Sequence, residues 1–260
     1  FQGESSIAKQ ANEIVKNDLI RTGEFYIFDE KSLIAYPPSE DDINYSDWRL
    51  INADYLLLTS VIESNSGIEA RYEIFDVRKK SKIRSSKVYG VSNNVRQLSH
   101  YVSDGIYEAI TGIQGVASTK ILYVSQINDL DASYRLYVAD ADGANEQLLV
   151  KSPEPIISPA WSPDSKKVAY VSFETGIANV YIQDISTGER QSIIKKRCLT
   201  CITNEQISSP SWSPDGKYLS LTLYQDGNAE IYIYNLQKRN LTRLTNHYSI
   251  DTESKWSPDG

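Results

Sequence analysis

The 260-residue sequence predicts a multidomain chain: a small N-terminal α/β domain over residues 1–117, followed by an all-β propeller over residues 118–260. Three observations lead there. The stretch SPAWSPDSKKVAYVSFETGIANVYIQDISTGER, Ser158 to Arg190, returns as SPSWSPDGKYLSLTLYQDGNAEIYIYNLQKRN, and ESKWSPDG opens a third copy. Within each copy, apolar and polar residues alternate with the period of two that marks strands, punctuated by Asp-Gly and Thr-Gly turns. Before Ser118 the apolar residues fall instead at the helical spacing of three and four.

In the N-terminal part, Ile7, Ala11, Ile14, Val15 and Leu19 form a helical stripe, with Ser5 or Ser6 as cap and Gly23 as the stop. EFYIFD then predicts a strand, and a polar Pro-containing loop from Ser39 leads to a short helix around Trp48 to Asn52. ADYLLLTSVIES and IEARYEIFDV predict a hairpin across Asn65-Ser66-Gly67, with KIRSSKVYG as a further strand. Leu98, Val102, Ile106 and Ile110 mark a second long helix, capped by an Asn94/Gln97 box and stopped at Gly112. The small-residue stretch Thr111 to Thr119 is the expected boundary.

Beyond it, Trp161, Trp212 and Trp256 are spaced by 51 and 44 residues, each followed by Ser-Pro-Asp. Four short antiparallel strands in about 45 residues make a propeller blade. KVAYVS and KYLSLTL, NVYIQDI and EIYIYNL, then RQSIIKK and LTRLT fill the successive positions, and KILYVSQ with RLYVADADGANEQLLV supplies an earlier copy. The expected units are a partial blade at 120–150, blades at 158–194 and 209–245, and the start of another at 253–260. Propellers close by completing the first blade with a strand from the other chain end, so the sequence is expected to be part of a longer one. Trp161, Asp164, Trp212, Asp215, Trp256 and Asp259 belong to the blade motif and are expected to be structural: Trp between neighbouring blades, Pro and Asp shaping the hairpin. Ser165 stands where the other copies have Gly, at small cost if the turn needs no positive φ.

Net charge is −7 and the pI near 5, a balance that repels nucleic acid and anionic lipid. The longest strongly apolar run, YLLL at Tyr55 to Leu58, is far short of a membrane helix. The chain begins at Phe1 and contains no Met, so a leader removed by processing is compatible with it. RKKSK, Arg78 to Lys82, reads as a solvated loop. Cys198 and Cys201 form CLTC in an insertion before the Trp212 strand; a local disulfide, free thiols, and a metal or redox pair all remain open. His100 lies off the apolar stripe and is expected to be solvated, whereas His247 sits in the loop before Trp256, where a partner contact is conceivable. DADG, Asp140 to Gly143, reads as a hairpin turn rather than a calcium loop, and no G-x-S-x-G or phosphate-cradling loop occurs. No catalytic residue, metal or cofactor is expected.

The α/β domain followed by Trp-Ser-Pro-Asp-Gly blades resembles the TolB family of the Tol–Pal cell-envelope system. LIRTGEFYIFD, YVSDGIYEAITGIQGVASTKILYV and SPEPIISPAWSPDSKKVAYVSFETG are similar to the family's first helix and following strand, its domain junction and its second blade. The resemblance implies six blades and a non-catalytic, periplasmic, monomeric scaffold at the outer membrane without membrane insertion. It implies two partners: the lipoprotein Pal at loops on one mouth of the propeller channel, and TolA at the N-terminal segment, just after which Phe1-Gln2-Gly3 would lie. Those loops precede each tryptophan strand. The matching residues are Pro153, Pro155 and Ser158; Gln206, Ser208 and Ser209, in a loop that departs from the family by its insertion; and Thr252 and Glu253, with His247 nearby. The blade motif also occurs in other propellers. The alternatives are therefore the propeller of a prolyl-oligopeptidase-like hydrolase, with its catalytic domain beyond residue 260, and, more weakly, a sugar-binding or lyase propeller.

Overall fold

The computed structural model describes residues 6–64, 67–91, 94–127, 133–193, 206–225 and 227–260. It divides into two compact units, Phe1–Thr119 with Asp140–Asp142, and Lys120–Ala139 with Gly143–Gly260. An N-terminal α/β domain is followed by partial propeller blades, four small antiparallel sheets in all among the described residues.

In the first unit, α1 (Ser6–Arg21), α2 (Tyr45–Leu50) and α3 (Val95–Thr111) accompany the sheet β1 (Tyr55–Ser64), β2 (Gly67–Asp76) and β3 (Ser81–Gly90), paired in that order. Strand alternation puts Ile68, Ala70, Tyr72 and Ile74 of β2 on one face, where Ala11, Val15 and Leu19 of α1 and Leu98, Val102 and Ile106 of α3 cover them. Phe75 and Val77, at the alternate positions, enter a second cluster with Trp48, Ala53 and Leu56. Gly105 permits the approach of α3 to β2: a Cβ there would lie 3.0 Å from ring carbon Cζ of Tyr72 and closer still to its hydroxyl. At the start of α3, Asn94 Oδ1 accepts from the Gln97 amide, and the helix stops at left-handed Gly112, both as the sequence predicts. Ser5 lies outside the described residues.

RKKSK is a loop only as far as Lys80, since Ser81 and Lys82 open β3, where Lys82 pairs with Glu40 and Glu73; two further expectations fail in this unit. EFYIFD forms no ladder; Phe25 and Ile27 turn into the helix–sheet cluster while Tyr26 is 80% exposed. Alternating burial requires an extended backbone, not a paired one. His100 is not solvated but 2% exposed. Helix α3 has a second buried flank, Ser99, His100 and Ser103, and α1 contributes Asp18 against it.

The second unit is built from β4 (Lys120–Ile127), β5 (Ser133–Asp140) and β6 (Gln147–Ser152) in one sheet. The next sheet holds β7 (Ile156–Trp161), β8 (Lys167–Ser172), β9 (Asn179–Asp184) and β10 (Arg190–Ser192); the last holds β11 (Gln206–Trp212), β12 (Tyr218–Gln225), β13 (Asn228–Asn235) and β14 (Asn240–Arg243). Successive sheets bury apolar residues between them: Leu136, Val150, Val168 and Tyr170 in one layer, Ala169, Val171, Ile182, Leu219 and Leu221 in the next. Residues 253–260, expected to start a blade, form the turn but no ladder.

Candidate functional site

The repeated unit is organised around its tryptophan. The indole N–H of Trp212 donates to the Ala160 carbonyl at 3.3 Å, and that of Trp256 donates to the Ser211 carbonyl at 3.0 Å. Each accepting residue immediately precedes the tryptophan of the copy before. The indoles thus tie equivalent points of neighbouring copies together, although Trp161, Trp212 and Trp256 are only partly buried.

The turn after each tryptophan is closed by its Ser and Asp. Ser162 Oγ donates to Asp164 Oδ1 at 2.7 Å and accepts from the Lys167 amide, while Asp164 accepts from the Lys166 amide. Ser213, Asp215, Lys217 and Tyr218 repeat the arrangement. The serine hydroxyl, then the backbone amide, lower the Asp164 carboxyl and bring Asp215 down to about 2; Asp259 is lowered by Ser257. The turn does require positive φ at its fourth position: 57° at Ser165, 69° at Gly216 and 91° at Gly260.

Before each tryptophan lies a second recurring feature. Ser158, Ser209 and Glu253, all three residues ahead of it, are left-handed at φ 51°, 52° and 54°. At the first two the strand bulges, the register breaking between Ile157 and Ala160 and between Ser208 and Ser211. Pro159 and Pro210 fall inside those bulges, where a missing N–H breaks no ladder. A non-glycine residue held left-handed costs about 1 kcal/mol or more. The bulges interrupt the ladder at the same offset from the tryptophan in β7 and β11, the equivalent strands of successive copies. Of the sequence-predicted residues, Pro153, Ser158, Gln206, His247, Thr252 and Glu253 are exposed, and Pro155, Ser208 and Ser209 half-buried. Cys198 and Cys201 lie outside the described residues.

Sequence reasoning missed the residue that shapes the third of these loops. Glu230 on β13 is 2% exposed. Its Oε2 accepts from Thr245 Oγ1 at 2.6 Å; Oε1 accepts from Arg243 Nη2 at 2.8 Å, the His247 amide at 2.9 Å and Asn228 Nδ2 at 3.2 Å. The Thr245 hydroxyl first, then the His247 amide and Arg243, hold its carboxyl down at about 2. Asn228 Nδ2 also reaches the His247 and Ser249 carbonyls, and the Asp251 amide donates to Ala229. Alignment of the copies shows Glu230 opposite Asn179, the one signal that could have singled it out.

Among the described residues, the donor atoms of Asp18, His100 and Asp142 lie within 4.8 Å of one another, close enough to share a cation. They are already engaged. Asp18 takes His100 Nδ1 at 2.7 Å, Ser103 Oγ at 2.8 Å and Arg21 at 3.3 Å, while Asp142 holds Arg96. A metal would have to displace two guanidinium partners. The arrangement is an ion-pair network, in which His100 Nε2 is buried without a hydrogen-bond partner. No helix among the described residues is long and apolar enough to cross a membrane.

Two family models match the chain: the TolB amino-terminal domain over residues 1–83 and the TolB beta propeller domain over residues 107–260. The chain is 41% identical over 230 residues to the Tol-Pal system protein TolB of Alcanivorax borkumensis, covering 87% of this chain and 51% of that relative. With the Hahella chejuensis protein of the same name it shares 42% over 198 residues, 74% of this chain and 46% of the relative. The crystal structure of TolB from Acinetobacter baumannii superposes with a TM-score of 0.86 at 38% identity, covering all of this chain and 62% of that one. The chain spans about half the length of the curated relatives it matches.

Proposed function

Because the chain belongs to the TolB family of Tol–Pal system proteins, we propose that it acts as a periplasmic, non-catalytic scaffold of that system. It binds the lipoprotein Pal through the loops ahead of Trp161, Trp212 and Trp256, and TolA through the N-terminal segment, as a monomer held at the outer membrane by Pal. Within this proposal residues 118–260 are the Pal-binding propeller and residues 1–117 the N-terminal α/β domain. The observation that carries it is the recurrence of a left-handed residue three places before each tryptophan. Strained backbone held at the same offset from three successive tryptophans, with Ser158 and Glu253 exposed, serves recognition better than stability. Family membership also removes the ground for the peptidase reading, which rested on the blade motif alone.

The test is a calorimetric titration of the protein with the soluble domain of the same organism's Pal. One-to-one saturable binding that weakens in Glu253→Lys, with an unchanged melting curve, is the expected result. A folded protein that produces neither heat nor complex would overturn the proposal.

A further inference from the structure

We propose, on the partner-binding reading above, that Glu230 is the positioning residue for the loop Thr245–Asp251, and that its carboxylate fixes the shape in which this loop meets the partner. Glu230 itself touches no solvent-facing surface, so it acts through the groups it holds. Its two oxygens take one hydroxyl, one guanidinium and one backbone N–H from the loop's entrance, and one amide side chain from Asn228 on β13 itself. Thr245 Oγ1 in turn accepts from the Ile231 amide, and Arg243 Nε donates to the Thr245 carbonyl, so the loop's entrance is crossed twice. Its exit is closed by Asp251 on Ala229, and the next link binds the Glu253 amide to Thr222 Oγ1 at 3.2 Å.

The loop buries almost none of its own side chains. Tyr248 is 90% exposed, with the His247 ring against it at 4.1 Å between centroids, and Ile250 is also exposed. A loop without an apolar anchor is ordered by its polar bonds; here the Thr245 hydroxyl and the His247 amide end on one buried carboxylate, which also holds the Asn228 side chain that reaches the His247 and Ser249 carbonyls. A loop already in its bound shape spares a partner the cost of ordering it. The preceding copy has neutral Asn179 at the equivalent strand position, bonded to Ser192 Oγ at 3.0 Å. The charged anchor therefore belongs to the third loop and not to the repeat as such.

Amide hydrogen exchange on the free protein and titration with the soluble Pal domain test this together. In Glu230→Gln the amides of His247 and Asp251 should exchange at least about tenfold faster, a local opening, while those within β12 keep their protection, and Pal affinity should fall about tenfold or more. Thr245→Val leaves Glu230 its other donors, so it should fold even where Glu230→Gln does not and show a smaller change of the same kind in both measurements. Unaltered exchange at His247 and Asp251 in Glu230→Gln, or in Thr245→Val should the first not fold, overturns the inference. So does a loosened loop that binds Pal with wild-type affinity. If the wild-type protein does not bind Pal, the partner reading fails on its own, and the exchange result still decides whether Glu230 fixes the loop.

Discussion

Exchanging Ser165 and Gly216 between the two complete copies should move stability in opposite directions. Ser165 occupies a left-handed position at φ 57°, and its counterpart Gly216 sits at φ 69°. The turn's bonds are made by other groups: the Ser165 amide donates to Ser162 O at 2.9 Å, and the Gly216 amide donates to Ser213 O at the same distance. Replacing Ser165 by Gly therefore leaves the hydrogen bonding intact and relieves the Cβ strain, worth about 1–2 kcal/mol. The extra freedom of glycine in the unfolded chain takes back about 0.5–1 kcal/mol. Ser165→Gly should then stabilise by about 0.5–1 kcal/mol, and Gly216→Ser should destabilise by a similar amount. Urea denaturation followed by tryptophan fluorescence reads both as shifts of midpoint at constant slope. Destabilisation by Ser165→Gly, or indifference to Gly216→Ser, would refute the claim that this turn demands positive φ.

Other consequences are measurable in the same way. Trp212→Phe keeps the ring but loses the bond to Ala160 and should cost about 1 kcal/mol, whereas Trp212→Ala should cost about 3 kcal/mol; a Phe variant as stable as the wild type would mean the indole N–H contributes nothing. Removing His100 leaves Asp18 buried with one partner fewer, so His100→Ala should destabilise the first unit by about 3 kcal/mol; a melting curve like the wild type's would contradict the network. Asp164, Asp215 and Glu230 bind protons more weakly folded than unfolded, from ordinary values of 3.8 for the aspartates and 4.5 for the glutamate. Their stabilisation is present above those values and is lost as pH falls towards 2. The urea midpoint should stay level from neutral pH to about 5 and then drop, with a shallower drop in Asp215→Asn; a midpoint that rises on acidification would reverse the assignment.

The architecture was legible because it is written in periodicity. Alternation in KVAYVS and KYLSLTL requires a half-buried strand, and a repeated Trp-Ser-Pro-Asp requires a repeated turn, so no distant contact had to be known. The same logic misled at EFYIFD, where alternation reports extended backbone but not whether a neighbouring strand is there to pair with it. His100 was misread because an apolar stripe reveals only the apolar face of a helix. The polar face it turns to α1 is recognisable once Asp18 is noticed among Ala11, Ile14 and Val15 at helical spacing. The left-handed residues before each tryptophan were picked out as partner loops, but not for their backbone, since neither Ser nor Glu advertises positive φ. Glu230 stayed hidden because its donors lie on both sides of it in the chain, up to 17 residues away.

A partner docked at the loops before the tryptophans shields their backbone amides from solvent. Hydrogen exchange of the protein with and without the soluble Pal domain should show protection confined to the segments before the three tryptophans: around Pro153–Ser158, Gln206–Ser209 and His247–Glu253. Protection of all three, with the outer strands β10 and β14 unaffected, is the predicted result. Protection elsewhere, with these segments unchanged in a complex that forms, would contradict it.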